Sequence, residues 1–350
     1  MRNFELLDSL EKIPAADPTA AERKQDHIQL AFRSQVESLS IDKRFSYEPM
    51  LSAHPAQKPV SFPFLGKMLN APIWVSSMTG GTEKAYQINS NLAKVCHEFG
   101  MGMGLGSCRA LLESDERIRD FDFRKVIGDE SPFYANIGIA QLAALLKNRE
   151  LYKIDQLVDK LQADGIIIHV NPLQEWLQPE GDKITEAPVK TIQQFLDKTN
   201  QKVIVKEVGQ GFGKESLRAL VQMPVEAIEF AAHGGTNFSK LELLRSSETQ
   251  LEVFNSISHI GHSAEEMVAC INELKTELGA NFTCRQFIIS GGIRSFLDGY
   301  YLMEKLQADA VYGQASALLK YAEIGYDELY GYVDNQLKGL QLAKAFFKVR

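Results

Sequence analysis

The chain has 350 residues, 45% of them hydrophobic and 24% charged, with a formal net charge of −7. That is the balance of a globular protein with a sizeable core. The acidity, with no long basic run, excludes nucleic acid as the principal partner, so an anionic ligand must be held by a local cluster of positive groups.

In chain order, residues 1–70 read as an N-terminal extension, helical around 20–38 and irregular from 46 to 70. Eight short apolar runs follow, at 71–80, 102–107, 133–138, 165–171, 202–209, 225–235, 286–292 and 308–314. Helical patterns lie between them at 84–99, 140–163, 188–199, 214–222, 263–278 and 296–306. The stretch 110–130 is charged without clear period, and 326–350 reads as a terminal amphipathic helix. Near-continuous hydrophobic strands alternating with helices imply a parallel sheet covered by helices. Eight such units over about 245 residues match a closed barrel. The expected fold is therefore α/β, a (β/α)8 TIM barrel over 71–350 behind an N-terminal extension. An open doubly wound sheet would carry a G-x-G-x-x-G turn after its first strand, and SSMTGGT lacks that spacing.

The four cysteines, Cys96, Cys108, Cys270 and Cys284, are scattered with no C-x-x-C pair. This fits neither a zinc site nor a disulfide framework and points to a reduced, cytoplasmic setting. The N-terminal run MRNFELLDSLEKIP lacks an apolar signal core. The longest apolar runs have strand length, far short of a membrane span.

Barrel chemistry sits at the C-terminal strand ends. There the sequence places Ser76, Ser77, Met78 and Thr79; Ser107 and Arg109; Asn136; His169 and Asn171 with Gln174 and Glu175; Lys206; and His233 with Thr236. The last two strands end in Ser290-Gly291-Gly292-Ile293-Arg294 and Gly313-Gln314-Ala315-Ser316. Glycines let backbone N–H groups approach an anion, the following helix N-termini add their dipoles, and loops seven and eight commonly build a barrel's phosphate site. Lys206 interrupts an apolar run and cannot share a face with Glu207, so it reads as a cation in the barrel lumen. His169 and Asn171 share a strand face, and Pro172 is expected to keep the following segment extended. Glu175 is the candidate Mg²⁺ ligand, since hard cations near phosphates take one or two carboxylates. Met78, Thr79, Ser107, Asn136 and Lys206 could together frame a flavin ring.

Several of these motifs occur together in one known family. The combination Arg23-Lys24-x-x-His27, Ser76-Ser77-Met78-Thr79-Gly80-Gly81-Thr82, Ser107-x-Arg109 and Asn136-x-Gly138 resembles type 2 isopentenyl diphosphate isomerase. So does the stretch from His169-x-Asn171 through Gln174-Glu175-x-x-Gln178-Pro179-Glu180-Gly181-Asp182, and then Val205-Lys206-Glu207, Gly234-Gly235-Thr236 and Gly291-Gly292-Ile293-Arg294. The resemblance runs in order from about residue 20 to 316. It implies an FMN- and Mg²⁺-dependent enzyme that interconverts isopentenyl and dimethylallyl diphosphate, with NADPH as reductant and no net redox change. It implies a homo-oligomer, a tetramer or octamer. By position it gives FMN to Ser77, Met78, Thr79, Ser107, Asn136, Lys206, Thr236, Gly291, Gly292, Arg294, Ala315 and Ser316. Substrate falls to Arg23, Lys24, His27, Arg109, His169, Asn171 and Gln174, and Mg²⁺ to Glu175. The implied reaction removes a proton from C2 and adds one at C4, with reduced FMN as acid and base. His233, Val208 and the G-Q-A-S of the eighth loop depart from the family pattern. The alternative is an FMN-dependent 2-hydroxy-acid oxidase, whose H-G-G-R would align with His233-Gly234-Gly235; here Thr236 stands in place of the arginine.

Overall fold

A computed structural model describes residues 19–55, 60–77 and 83–350. Two compact units emerge, one within Met1–Phe45 together with Arg350, the other Ser46–Val349. In the first, the helix Ala20–Leu30 carries Arg23, Lys24 and His27, all exposed.

The second unit is the barrel. Its strands are β1 (Ile73–Val75), β2 (Gly102–Gly104), β3 (Phe133–Gly138), β4 (Gly165–His169), β5 (Val203–Lys206), β6 (Ala227–Glu229), β7 (Gln286–Ser290) and β8 (Asp309–Gln314). They close in sequence order, every neighbour parallel. All eight apolar runs thus become strands. Ile166, Ile167 and Ile168 of β4 are all buried because a barrel strand meets the lumen on one side and helices on the other.

The helices differ from expectation in informative places. The pattern at 140–163 is two helices, Ile139–Asn148 and Tyr152–Leu161, because Arg149 turns left-handed (φ 59°) and its N–H closes on the Leu145 and Leu146 carbonyls. No glycine or proline marks that break. Pro172 does not extend the chain. It opens the helix Pro172–Leu177 at a first-turn position, where a missing N–H costs nothing. Helices also occupy Phe238–Arg245, Glu248–Phe254 and Ser316–Ile324. No helix of the described residues is long and apolar enough to cross a membrane.

Within the stretch read as irregular lies an antiparallel hairpin, Phe62–Phe64 with Lys67–Leu69. Its two-residue turn puts Leu65 (φ 51°) and Gly66 (φ 75°) in the left-handed region that matches strand twist. Phe64, Leu65 and Leu69 pack fully buried against Trp74, Tyr134, Ile167, Ile204, Ala227, Ile288 and Val311, the apolar layer inside the barrel. Each such burial contributes about 1.5–3 kcal/mol. The Leu65 N–H donates to Gln286 Oε1 at 2.6 Å, and Lys67 Nζ donates to the Asp129 carbonyl at 2.7 Å and to Asp164 Oδ2 at 2.8 Å. These partners all stand at or before strand starts, so the hairpin seals the N-terminal end of the barrel.

Candidate functional site

Counting two residues along each strand from the apolar layer gives the next lumen-facing position. From Trp74, Tyr134, Ile167, Ile204, Ala227, Ile288 and Val311 that step reaches Ser76, Asn136, His169, Lys206, Glu229, Ser290 and Gly313. The lumen changes from hydrocarbon to polar within one layer. Above it opens a cavity of about 590 Å³ lined by Ser76, Ser77, Lys206, Glu229 and Ser290, with Val208, Thr236 and the glycine loops around them. The hydroxyls of Ser76 and Ser77 and Oε2 of Glu229 are buried without a partner among the described residues. Buried polar atoms are ordinarily satisfied, so this floor is built for a polar ligand or ordered water. Gly313 belongs here by size, because a Cβ on it would meet Ser76 Oγ at 2.6 Å.

One end of the cavity suits a phosphate. Gly234 and Gly235 face Gly291 and Gly292, and a Cβ on Gly235 would sit 3.1 Å from the Gly292 nitrogen. Gly291 (φ 89°) and Gly292 (φ 74°) adopt conformations that favour glycine. Arg294, Ala315 and Ser316 line the same end, joined by Lys320, which no strand-end reading could find because it sits a turn into a helix. Of the two helix N-termini expected to aid an anion, the one after β7 is already taken. Asp298 Oδ2 accepts the Arg294 and Ser295 N–H groups, both at 2.9 Å. The helix Ser316–Ile324 has no side-chain cap, so its orphan donors and dipole serve this end. The Gln314 side chain is committed elsewhere, receiving Tyr332 OH at 3.2 Å and donating to the Ile293 carbonyl at 3.3 Å.

A second polar cluster surrounds the ends of β3 and β4. Asn136 Nδ2 donates to the Leu105 carbonyl at 2.9 Å, which leaves its Oδ1 facing His169 Nδ1 at 2.7 Å. An acceptor there places the imidazole proton on Nδ1 and frees Nε2 as an acceptor. Burial, with the Lys206 charge beside it, pushes the His169 pKa down to about 3. Asn171 Nδ2 donates to Gln174 Oε1 at 3.1 Å and Glu175 Oε1 at 3.0 Å, while its Oδ1 has no partner among the described residues. Glu175 Oε2 accepts the Asp182 N–H at 2.7 Å. The Asp182 carboxylate meets Arg109 at 3.1 Å and Gln141 at 2.9 Å. Gly181 permits the turn that brings Asp182 back, since a Cβ on it would lie 1.9 Å from the Glu175 carbonyl oxygen. Among the described residues no group of three or more His, Cys, Asp or Glu could hold a metal by itself. Glu175 fits the looser arrangement in which one carboxylate and ligand phosphates share a hard cation.

Lys206 is buried at 5% exposure and donates to the Glu207 main-chain carbonyl at 2.7 Å. The Glu207 carboxylate points into its own loop, accepting the Gly209, Gln210 and Gly211 N–H groups on Oε2. Burial pushes its pKa up and those donors pull the other way. Ser107 is exposed on the loop after β2. Met78 and Thr79 lie outside the described residues. Arg23, Lys24 and His27 belong to the other unit. His233 does not line the cavity; its Nε2 meets the Ser258 carbonyl at 3.2 Å. Sequence reading missed Glu229 and Lys320, and it named Asp182 within the family motif without giving it a role. For Glu229 the signal was available: it is the one acid two positions beyond a buried lumen residue.

In fold, the chain is similar to flavocytochrome b2 in a sulfite-bound variant, with TM-score 0.57 and 13% identity over 86% of this chain and 72% of that one. It is also similar to a Pediococcus acidilactici lactate oxidase, with TM-score 0.56 and 13% identity over 85% and 79%. No family model matches. In sequence, it is 35% identical over 310 residues to isopentenyl-diphosphate delta-isomerase of Rickettsia akari, covering 86% of each chain. To the Rickettsia felis protein of that name it is 34% identical over 322 residues, covering 90% of this chain and 89% of that one. Identity at this level over most of the chain shows that it belongs to the isopentenyl-diphosphate delta-isomerase family.

Proposed function

We propose that the protein holds FMN in the β5–β8 cavity and interconverts isopentenyl and dimethylallyl diphosphate at the adjoining β3–β4 cluster, with Mg²⁺ on Glu175. The observation that carries this reading is the adjacency of two anion sites of different kind. One is a glycine cradle with Arg294, Lys320 and an uncapped helix, suited to a single phosphate. The other is the cluster of Arg109, His169, Asn171, Gln174 and Glu175, suited to a metal-bridged diphosphate. The partnerless floor oxygens fit a polyol chain and a hydrogen-bonding ring. When bound, reduced FMN supplies a ring nitrogen able to take and return a proton. Lys206 places a buried cation at that ring, Asn136 holds His169 in one tautomer, and Asn171 orients Glu175. NADPH serves to reduce the flavin beforehand and is not consumed in turnover, because substrate and product share an oxidation state.

The hydroxy-acid oxidase reading loses its base, since His233 faces the Ser258 carbonyl and Thr236 occupies the clamp position. The deciding assay supplies isopentenyl diphosphate, FMN, Mg²⁺ and limiting NADPH in D₂O. Product and recovered substrate are expected to carry deuterium while NADPH stays constant after flavin reduction. NADPH loss in step with product, or turnover of lactate or glycolate in its place, would sink the proposal.

A further inference from the structure

Lys206 has an acidic neighbour whose charge the reading above does not use. Glu229 of β6 stands in register with Lys206 of β5, both lie in the lumen, and both line the same cavity. Glu229 is 0% exposed. The Ser290 hydroxyl donates to its Oε1 at 3.2 Å and itself accepts the Ala231 N–H at 2.9 Å, so the serine proton is directed at the carboxylate. Oε2 is left with no partner among the described residues. Lys206 spends one N–H on the Glu207 carbonyl, and among the described residues no carboxylate pairs with it directly. An acid and a base thus share a cavity floor without closing on each other. Such an arrangement is expensive to bury unless what binds between them uses both charges.

We propose that Glu229 is a positioning residue that offsets the Lys206 charge beneath the cofactor ring and so sets the flavin's reduction potential. This rests on the FMN reading above. A ring that gains negative charge on reduction is favoured by the lysine and opposed by the carboxylate. Removing the carboxylate removes the opposition.

The test is the midpoint potential of FMN bound to the full-length protein, measured by reductive titration against reference dyes. Glu229→Gln, which keeps the shape and removes the charge, is expected to raise the preference for reduced over oxidised FMN about ten-fold, about 30 mV more positive for a two-electron couple. Glu229→Asp retains the charge and should stay near the wild-type potential. Should Glu229→Gln fail to fold, Ser290→Ala is read in its place. Stripping the hydroxyl dipole from Oε1 leaves the carboxylate's field less screened and should move the potential negative. A flavin-loaded Glu229→Gln or Ser290→Ala protein with the wild-type potential would overturn the role of Glu229. A wild-type protein that takes up no FMN would overturn the FMN reading itself.

Discussion

Neutral His169 makes a claim about acid stability that can be checked. An unfolded histidine protonates near pH 6.5, whereas the folded ring stays unprotonated down to about 3. Between those values the unfolded chain binds the extra proton, so stability is full above pH 6.5 and falls as pH drops toward 3. The slope from one such group is at most about 1.4 kcal/mol per pH unit. His169→Gln should unfold with a shallower acid dependence than wild type across that window in denaturant titrations. Parallel curves would mean that the ring is not held neutral. The same neutrality assigns His169 the part of hydrogen-bond acceptor at Nε2, not that of a cation for the diphosphate. That residue type and its strand position were legible in sequence. The tautomer was not, because it depends on Leu105 orienting Asn136 across two strands.

At the scale of elements, the glycine cradle separates two kinds of constraint within one dipeptide. A Cβ on Gly291 would meet the Ala232 carbonyl oxygen at 2.1 Å, a backbone atom that cannot yield. On Gly292 the nearest contact is 3.4 Å, so space is adequate and the cost is the left-handed φ, about 1–2 kcal/mol. Gly291→Ala is therefore expected to lower Tm strongly or prevent folding. Gly292→Ala should fold with a modest loss of Tm and bind FMN more weakly. Equal Tm values for the two variants would refute the distinction. The strands themselves were legible because barrel strands are apolar on both faces and end in polar residues. The hairpin was not: its strands have three residues each and its turn is Leu65-Gly66, without the Asn or Asp that usually advertises such a turn. Lys320 was illegible for a different reason, since a helix carries it to the site from a position with no strand-end signature, and Asp182 stood in the family motif without a role because only the returning loop shows its partners.

For the whole molecule the open question is the helix Ala20–Leu30. Its Arg23, Lys24 and His27 are exposed, and so are Ile28, Phe32, Val36 and Leu39 nearby, an apolar set that a surface segment seldom carries alone. We propose that Arg23 and Lys24 contribute to binding the substrate's diphosphate. A diphosphate brings up to three negative charges, and Arg109 is already engaged with Asp182. Arg23→Ala and Lys24→Ala should each raise KM for isopentenyl diphosphate about ten-fold, as for loss of a charged hydrogen bond worth roughly 1.5–3 kcal/mol. FMN affinity should hardly change. Unaltered kinetics in both variants would return the arm to being a solvated helix.

The hairpin that seals the strand starts also governs traffic. With Phe64, Leu65 and Leu69 stoppering one end, the cavity lined by Lys206 and Glu229 opens at the other, where the proposed ligands would sit. Among the described residues the barrel is then a flask stoppered at its base, and an occupant of the cavity would sit in its neck. Under the proposed reaction, a proton lifted from a substrate held there would meet little solvent while the site is occupied. On the proposed reaction, deuterium from D₂O is still expected in product and recovered substrate, but its wash-in should lag behind turnover.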